Sequence, residues 1–196
     1  SFSDSSCFGT CARARGAPCA AYCLGIVQSA CSQLRMQALL PGLQIKNAWL
    51  TIDKFDSHLE KGLEFAYSKK RGYLTACPTN LGTGIRVSAM LHLPGLVLSE
   101  QINQIIQAVN KLGLAVRGLY GEGTEALGNV FQVSNQMTLG ETEVDIVERL
   151  NKVLLQLVDH EENARIKLLE DKTKMLYNHI GRAYGILANA HSISSK

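Results

Sequence analysis

No run of about eighteen apolar residues occurs anywhere in the chain, which argues against a transmembrane helix. Charge of one sign is also scarce. Twenty basic residues stand against 17 acidic ones, a formal net charge of +3. That bias is too small to argue for nucleic-acid binding. No Gly-Lys-Ser/Thr follows either glycine-rich loop, so a Walker A phosphate cradle is excluded. The strand–turn–helix setting of a dinucleotide fingerprint is missing too. No internal repeat is present. Residue 1 is serine rather than methionine, so a fragment or a processed product is expected.

Hydrophobic residues make up 46% of the chain and charged residues 19%, as in a soluble globular protein. The six cysteines divide it. Cys7, Cys11, Cys19, Cys23 and Cys31 fall in the first 31 residues, and only Cys77 lies beyond. This separates a Cys/Ala/Ser/Gly-rich head, 1–33, from an ordinary body, 34–196. Cys-x-x-x-Cys occurs twice in the head with no histidine nearby, a poor match to zinc spacing. The head lacks the basic start and unbroken apolar stretch of a signal peptide. It is expected to be disordered or spurious, as a shifted reading frame would make it.

In the body, "LRMQALLPG" (34–42) reads as a strand stopped by Pro41-Gly42. From Gln44 to Tyr67, apolar residues at spacings of three and four predict an amphipathic helix. "RGYLTAC" (71–77) and "IRVSAMLHL" (85–93) read as strands around the loop "PTNLGTG". Ser99 is placed as the cap of a helix whose stripe is Ile102, Ile105, Ile106, Val109 and Leu112, ended by Gly113. "LAVRGLYG" (114–121) and "VFQVSNQ" (130–136) are two further strands. Thr142 opens a long helical pattern that runs to about Tyr184. Short loops between neighbouring strands predict an α+β fold, a mostly antiparallel sheet with helices packed against it.

Two glycine-rich loops sit beside strand arginines. Gly82-Thr83-Gly84 precedes Arg86, and Arg117-Gly118 leads to Gly121-Glu122-Gly123. Either glycine set alone is an ordinary hairpin turn, and either arginine alone an ordinary solvated side chain. Together they fit an anion site, because glycine lets backbone approach a ligand and guanidinium is a forked donor to phosphate oxygens. Cys77 alone reads as a small buried hydrophobe. Glu122, held between glycines, has a constrained position.

The stretches "GYLTACPTNLGTGIRVSAMLHLPGL" and "GLAVRGLYGEGTEALGNVFQVSNQMTLG" resemble the catalytic domain of the ATP:guanido phosphotransferases, over about residues 34–190. Within that family "RGLYGEGTEALGN" is similar to the bacterial protein-arginine kinases. Small-molecule members typically carry Arg where Tyr120 stands and His where Gly123 stands. The resemblance implies a glutamine-synthetase-like fold and transfer of the ATP γ-phosphate to arginine residues in proteins, with Mg2+. It implies that Cys77 lies beside the substrate guanidinium and that Glu122 orients it and accepts its proton. It places Arg35, Arg86 and Arg117 on phosphate. The segment Arg86, Val87, Ser88, Ala89 and Met90 lines the nucleotide site, and Gly118, Leu119, Tyr120 and Gly121 shape the second loop. No metal-ligating residue is assigned. Implied partners are proteins with exposed arginine, the bacterial Clp chaperone–protease system, its repressor and an activator protein. A homodimer, a cytoplasmic location and no membrane association go with them.

One departure stands out. Family members carry an acidic Asn-Glu-Glu-Asp-His-like stretch before the first strand, and here the residues are "QSACSQ" (28–33). The expectation is a truncated catalytic domain behind an unmatched head. A non-catalytic relative that binds nucleotide or arginine-rich partners is the alternative, and a cysteine-rich metal-binding head is a third reading.

Overall fold

Residues 21–28, 34–75, 80–118 and 127–192 are described by the computed structural model. Side chains before Met36 fall outside the description, so 21–35 are placed by backbone alone. Five strands form one antiparallel sheet: β1 (Ala21–Gln28), β2 (Leu34–Pro41), β5 (Ile85–His92), β6 (Leu114–Gly118) and β7 (Val130–Asn135), in the order β2-β1-β5-β7-β6. β3 (Tyr67–Ser68) and β4 (Gly72–Tyr73) make a separate two-stranded ribbon. The helices are α1 (Ile45–Leu59), α2 (Pro94–Leu98), α3 (Ile102–Lys111), α4 (Glu143–Asp171) and α5 (Thr173–Asn189). This is the α+β arrangement the sequence predicts.

Strand alternation makes the sheet two-sided. On β5, Ile85, Val87, Ala89 and Leu91 are buried, and Phe131, Val133 and Leu114 join them from β7 and β6. Side chains two apart share a face, so one apolar face results, and helices cover it. α4 supplies Ile146, Val147, Leu150, Val153, Leu154 and Leu157, and α1 supplies Ile45 and Ile52. Each such buried aliphatic side chain contributes about 1.5–3 kcal/mol over leaving it in water. The opposite face of the sheet carries Gln37 and Leu39 on β2, Arg86 and Met90 on β5, Gln132 on β7 and Arg117 on β6.

α4 begins as the sequence predicts. The Thr142 side chain accepts from the Asp145 backbone N–H at 3.2 Å, and Glu143 and Asp145 sit where the helix dipole favours negative charge. α4 and α5 part at Lys172, and α5 runs on to Asn189, past the expected end near Tyr184.

Several local expectations are corrected. The first helix stops at Leu59 rather than Tyr67, because the chain turns at Glu60–Gly62 to enter β3; Leu63 is half exposed. Among the described residues of the strand expected over 71–77, regular pairing is found at Gly72–Tyr73. Ser99 follows α2 as its C-terminal cap. The N-cap of α3 is Gln101, with no side-chain cap bond, because Pro94 opens a short helix of its own first. β1 lies within the stretch 1–33. Its backbone pairs with β2 from Ala21–Pro41 to Gln28–Leu34, and with β5 from Ala21–Met90 to Ile26–Ile85.

Candidate phosphate-binding face

Arg86 is the second residue of β5 and Arg117 the fourth of β6; both are exposed on the face that none of the described helices covers. Register fixes their relation. Arg117 pairs with Gln132, which pairs with Met90, four residues along β5 from Arg86. Ordinary strand spacings then put the two Cα atoms about 16 Å apart. Two long side chains from those points can converge on a polyphosphate lying between them. Neither arginine has an ion-pair partner among the described residues. Arg35, on β2, pairs by backbone with Val27 of β1 and stands two residues before Gln37.

The turn before Arg86 is held from two sides. Tyr73 and Gly82 exchange backbone bonds of 2.8 and 3.3 Å, tying together the ends of segment 74–81. On the other side Thr138 grips the turn. Its Oγ1 donates to the Leu81 carbonyl at 2.8 Å, and its carbonyl accepts from the Thr83 N–H at 2.9 Å and from Thr83 Oγ1 at 3.2 Å. Asn135 acts beside it. Its Oδ1 accepts from the Val87 N–H at 2.8 Å, and its Nδ2 donates to the carbonyls of Ile85 at 3.1 Å and Met137 at 3.0 Å. Gly82 has φ +107°, and a Cβ there would lie 2.3 Å from the Thr138 carbonyl oxygen. Only glycine fits that conformation and that contact.

Of the segment expected to line a nucleotide site, Val87 and Ala89 turn into the core at 1% and 0% exposure. A strand alternates, so five consecutive side chains cannot share one face. Arg86, Ser88 and Met90 are the members on the open face, Ser88 being buried among its neighbours there. Gly118 ends β6, half-buried. Cys77 lies outside the described residues, and so do Leu119, Tyr120, Gly121 and Glu122. Asn135 and Thr138 were not picked out from the sequence. A polar "SNQMT" run directly after an apolar strand was the available signal.

A separate acidic surface lies along α1. Glu143 has its carboxyl pushed up by burial and by Asp56, Asp53 and Glu60, against the pull of a 3.4 Å bond from the Trp49 ring N–H. Asp56 is raised by partial burial, then by Glu60 and Asp53. The Tyr73 hydroxyl donates to Glu60 at 2.9 Å and is also raised, first by burial and then by that bond. A groove beside it is lined by Glu60, Leu63, Phe65, Tyr67 and Tyr73. Among the described residues no group of three His, Cys, Asp or Glu side chains could hold a metal ion. None of the described helices is long and apolar enough to cross a membrane.

The sheet face thus bears two exposed arginines, Arg86 and Arg117, beside a pinned glycine turn. Residues 30–164 match the family described as ATP:guanido phosphotransferase, C-terminal catalytic domain, and the chain belongs to it. The family's name makes ATP the phosphoryl donor. Similar curated proteins include the protein-arginine kinase of Halalkalibacterium halodurans, 53% identical over 163 residues. That stretch is 83% of this chain and 46% of the relative. The protein-arginine kinase of Bacillus subtilis is 50% identical over the same length, 45% of its own chain. The chain thus spans about half the length of the curated relatives it matches. Among solved structures, a lombricine kinase superposes with a TM-score of 0.58 at 28% identity, over 68% of this chain and 37% of the other. The duplicated taurocyamine kinase of Schistosoma mansoni, with bound transition-state analogue components, gives 0.56 at 29% identity, over 66% of this chain and 18% of the other.

Proposed function

We propose that this chain is part of the catalytic domain of a protein-arginine kinase, which moves the γ-phosphoryl group of Mg-ATP to the guanidinium of arginine residues in proteins. The observation that carries the reading is the pair of exposed arginines, Arg86 and Arg117, on the open sheet face, with no ion-pair partner among the described residues. A phosphoryl group in flight needs positioning and charge neutralisation more than covalent help. Arg86 and Arg117, joined by Arg35, neutralise the phosphate oxygens from strands that cannot shift. Glu122 orients the substrate guanidinium and takes its proton as the N–P bond forms and the bond to ADP breaks. Cys77, as thiolate, complements the guanidinium charge. Magnesium arrives on the nucleotide phosphates as part of the substrate.

Identity at or above 50% to protein-arginine kinases supports protein arginine over a free guanidino compound. Tyr120 and Gly123, where small-molecule members typically differ, support the same choice. The partners follow from that reading: proteins with exposed arginine, and the Clp chaperone–protease system with its repressor and activator. A homodimer and a cytoplasmic location are consistent with it. A second reading applies to residues 1–196 made alone. Residues 28–33 hold no carboxylate, so the chain binds nucleotide without turnover.

The test is incubation of the full-length protein with labelled ATP and an arginine-rich protein, followed by detection of acid-labile phosphoarginine. Label that vanishes in Glu122→Gln is expected. Label on free arginine or creatine, with none on protein, would overturn the substrate assignment. Residues 1–196 alone are expected to give no label.

A further inference from the structure

We infer that Asn135 and Thr138 are positioning residues for phosphoryl transfer, forming a strap that sets Arg86 in register with Arg117. The inference rests on the phosphate-clamp reading above. Both side chains are buried, at 6% exposure each. Asn135 is the last residue of β7 and Thr138 lies three residues beyond it, and β7 is the strand lying between the two arginines: Gln132 pairs with Arg117 on one side and with Met90 of β5 on the other.

Regular pairing of β5 with β7 is recorded from His92–Val130 to Ser88–Ser134. Beyond Ser88, toward Arg86, the Asn135 amide takes over. It bonds the Val87 N–H and the Ile85 carbonyl, the groups on either side of Arg86. Thr138 then fixes the turn from which β5 emerges, through Leu81 and Thr83. The backbone around Arg86 is thereby fastened to the strand that fixes Arg117. These are side-chain bonds to main chain across about fifty residues of sequence. They determine where a guanidinium points without touching a ligand. A misplacement on the order of 1 Å in such a reaction costs up to about a hundredfold in rate.

The experiment is a double-mutant cycle in the full-length protein, read by steady-state kinetics with ATP and an arginine-bearing protein. Thr138→Val keeps the shape and removes the bond to Leu81. It is expected to lower kcat about tenfold, with a smaller change in KM for ATP. Thr138→Ser, which keeps the hydroxyl, should restore most of the rate. In an Arg86→Ala background, Thr138→Val should cost little further, because the group it positions is gone. Should Thr138→Val not fold, Thr83→Val, which removes the hydroxyl bond to the Thr138 carbonyl and the 3.5 Å bond from the Ile85 N–H, is read in the same way. If Arg86→Ala slows the reaction and the second substitution still costs its full factor, the strap inference is overturned and the clamp reading stands. If Arg86→Ala leaves turnover unchanged, the clamp reading falls and the strap with it.

Discussion

On the helix-covered side of the central sheet, Arg165 meets a carboxylate; on the open side, Arg86 and Arg117 meet none among the described residues. Glu161 is 2% exposed, accepts from the N–H groups of Gly95 and Leu96 at 2.8 and 2.9 Å, and receives the Arg165 Nε at 2.6 Å. It closes the start of α2, and every hydrogen bond it makes is internal. Charge that serves the fold is matched within the fold, because an unmatched buried charge is costly. Charge left single, on rigid strands and in water, is free for a ligand that brings the opposite sign. The difference separates residues whose loss unfolds the chain from residues whose loss stops the chemistry.

Glu161→Ala should give the largest stability effect. It strips two backbone donors and one guanidinium of their acceptor, a loss of about 2–4 kcal/mol. Thermal unfolding should come about 5–15 °C lower for a chain of this size. A change within 1–2 °C would break the comparison, because the buried pair would then be as dispensable as a surface one. Gly82→Ala should come next. Its Cβ meets the Thr138 carbonyl and its φ is left-handed, so a loss of about 1–3 kcal/mol is expected by denaturant titration, with slower turnover as the turn before Arg86 shifts.

The smallest effect belongs to Glu143→Gln. Glu143 and Asp56 are both held above the ordinary carboxylate range, by burial first and by neighbouring acids after. Across that window the folded chain binds more protons than the unfolded one. Their contribution is therefore fully present below the ordinary carboxylate pKa and is lost as pH rises through the raised values. Glutamine keeps an acceptor for the Trp49 N–H and removes the charge. A slightly higher melting temperature at neutral pH, and a flatter decline of stability as pH rises above the ordinary carboxylate pKa, are expected from melting curves across pH. Unchanged pH dependence would show that the acidic surface of α1 carries no strain.

Much of the fold was legible because it is periodic. Period-2 apolar alternation marked β5 and β7, the Thr142 cap marked α4, and Gly113 marked the end of α3. The same alternation separates the exposed Arg86 from the buried Val87 and Ala89. What stayed hidden was non-local. The grip of Asn135 and Thr138 on a turn some fifty residues away leaves no trace in local spacing. The early end of α1 is set by where β3 must pair, not by a helix-breaking signal in its own apolar stripe. Arg86 and Arg117 were legible as residues, and the register that relates them was not.

The most direct measurement is the turnover of Arg86→Ala and of Arg117→Ala in the full-length protein, with thermal unfolding recorded on the same preparations. Each variant should lose about 2–4 kcal/mol of transition-state stabilisation, roughly a thirty- to thousandfold fall in kcat/KM, while melting within a degree or two of the parent. Turnover that is unchanged, or that falls only as far as unfolding explains, would contradict the assignment of the open sheet face to phosphate.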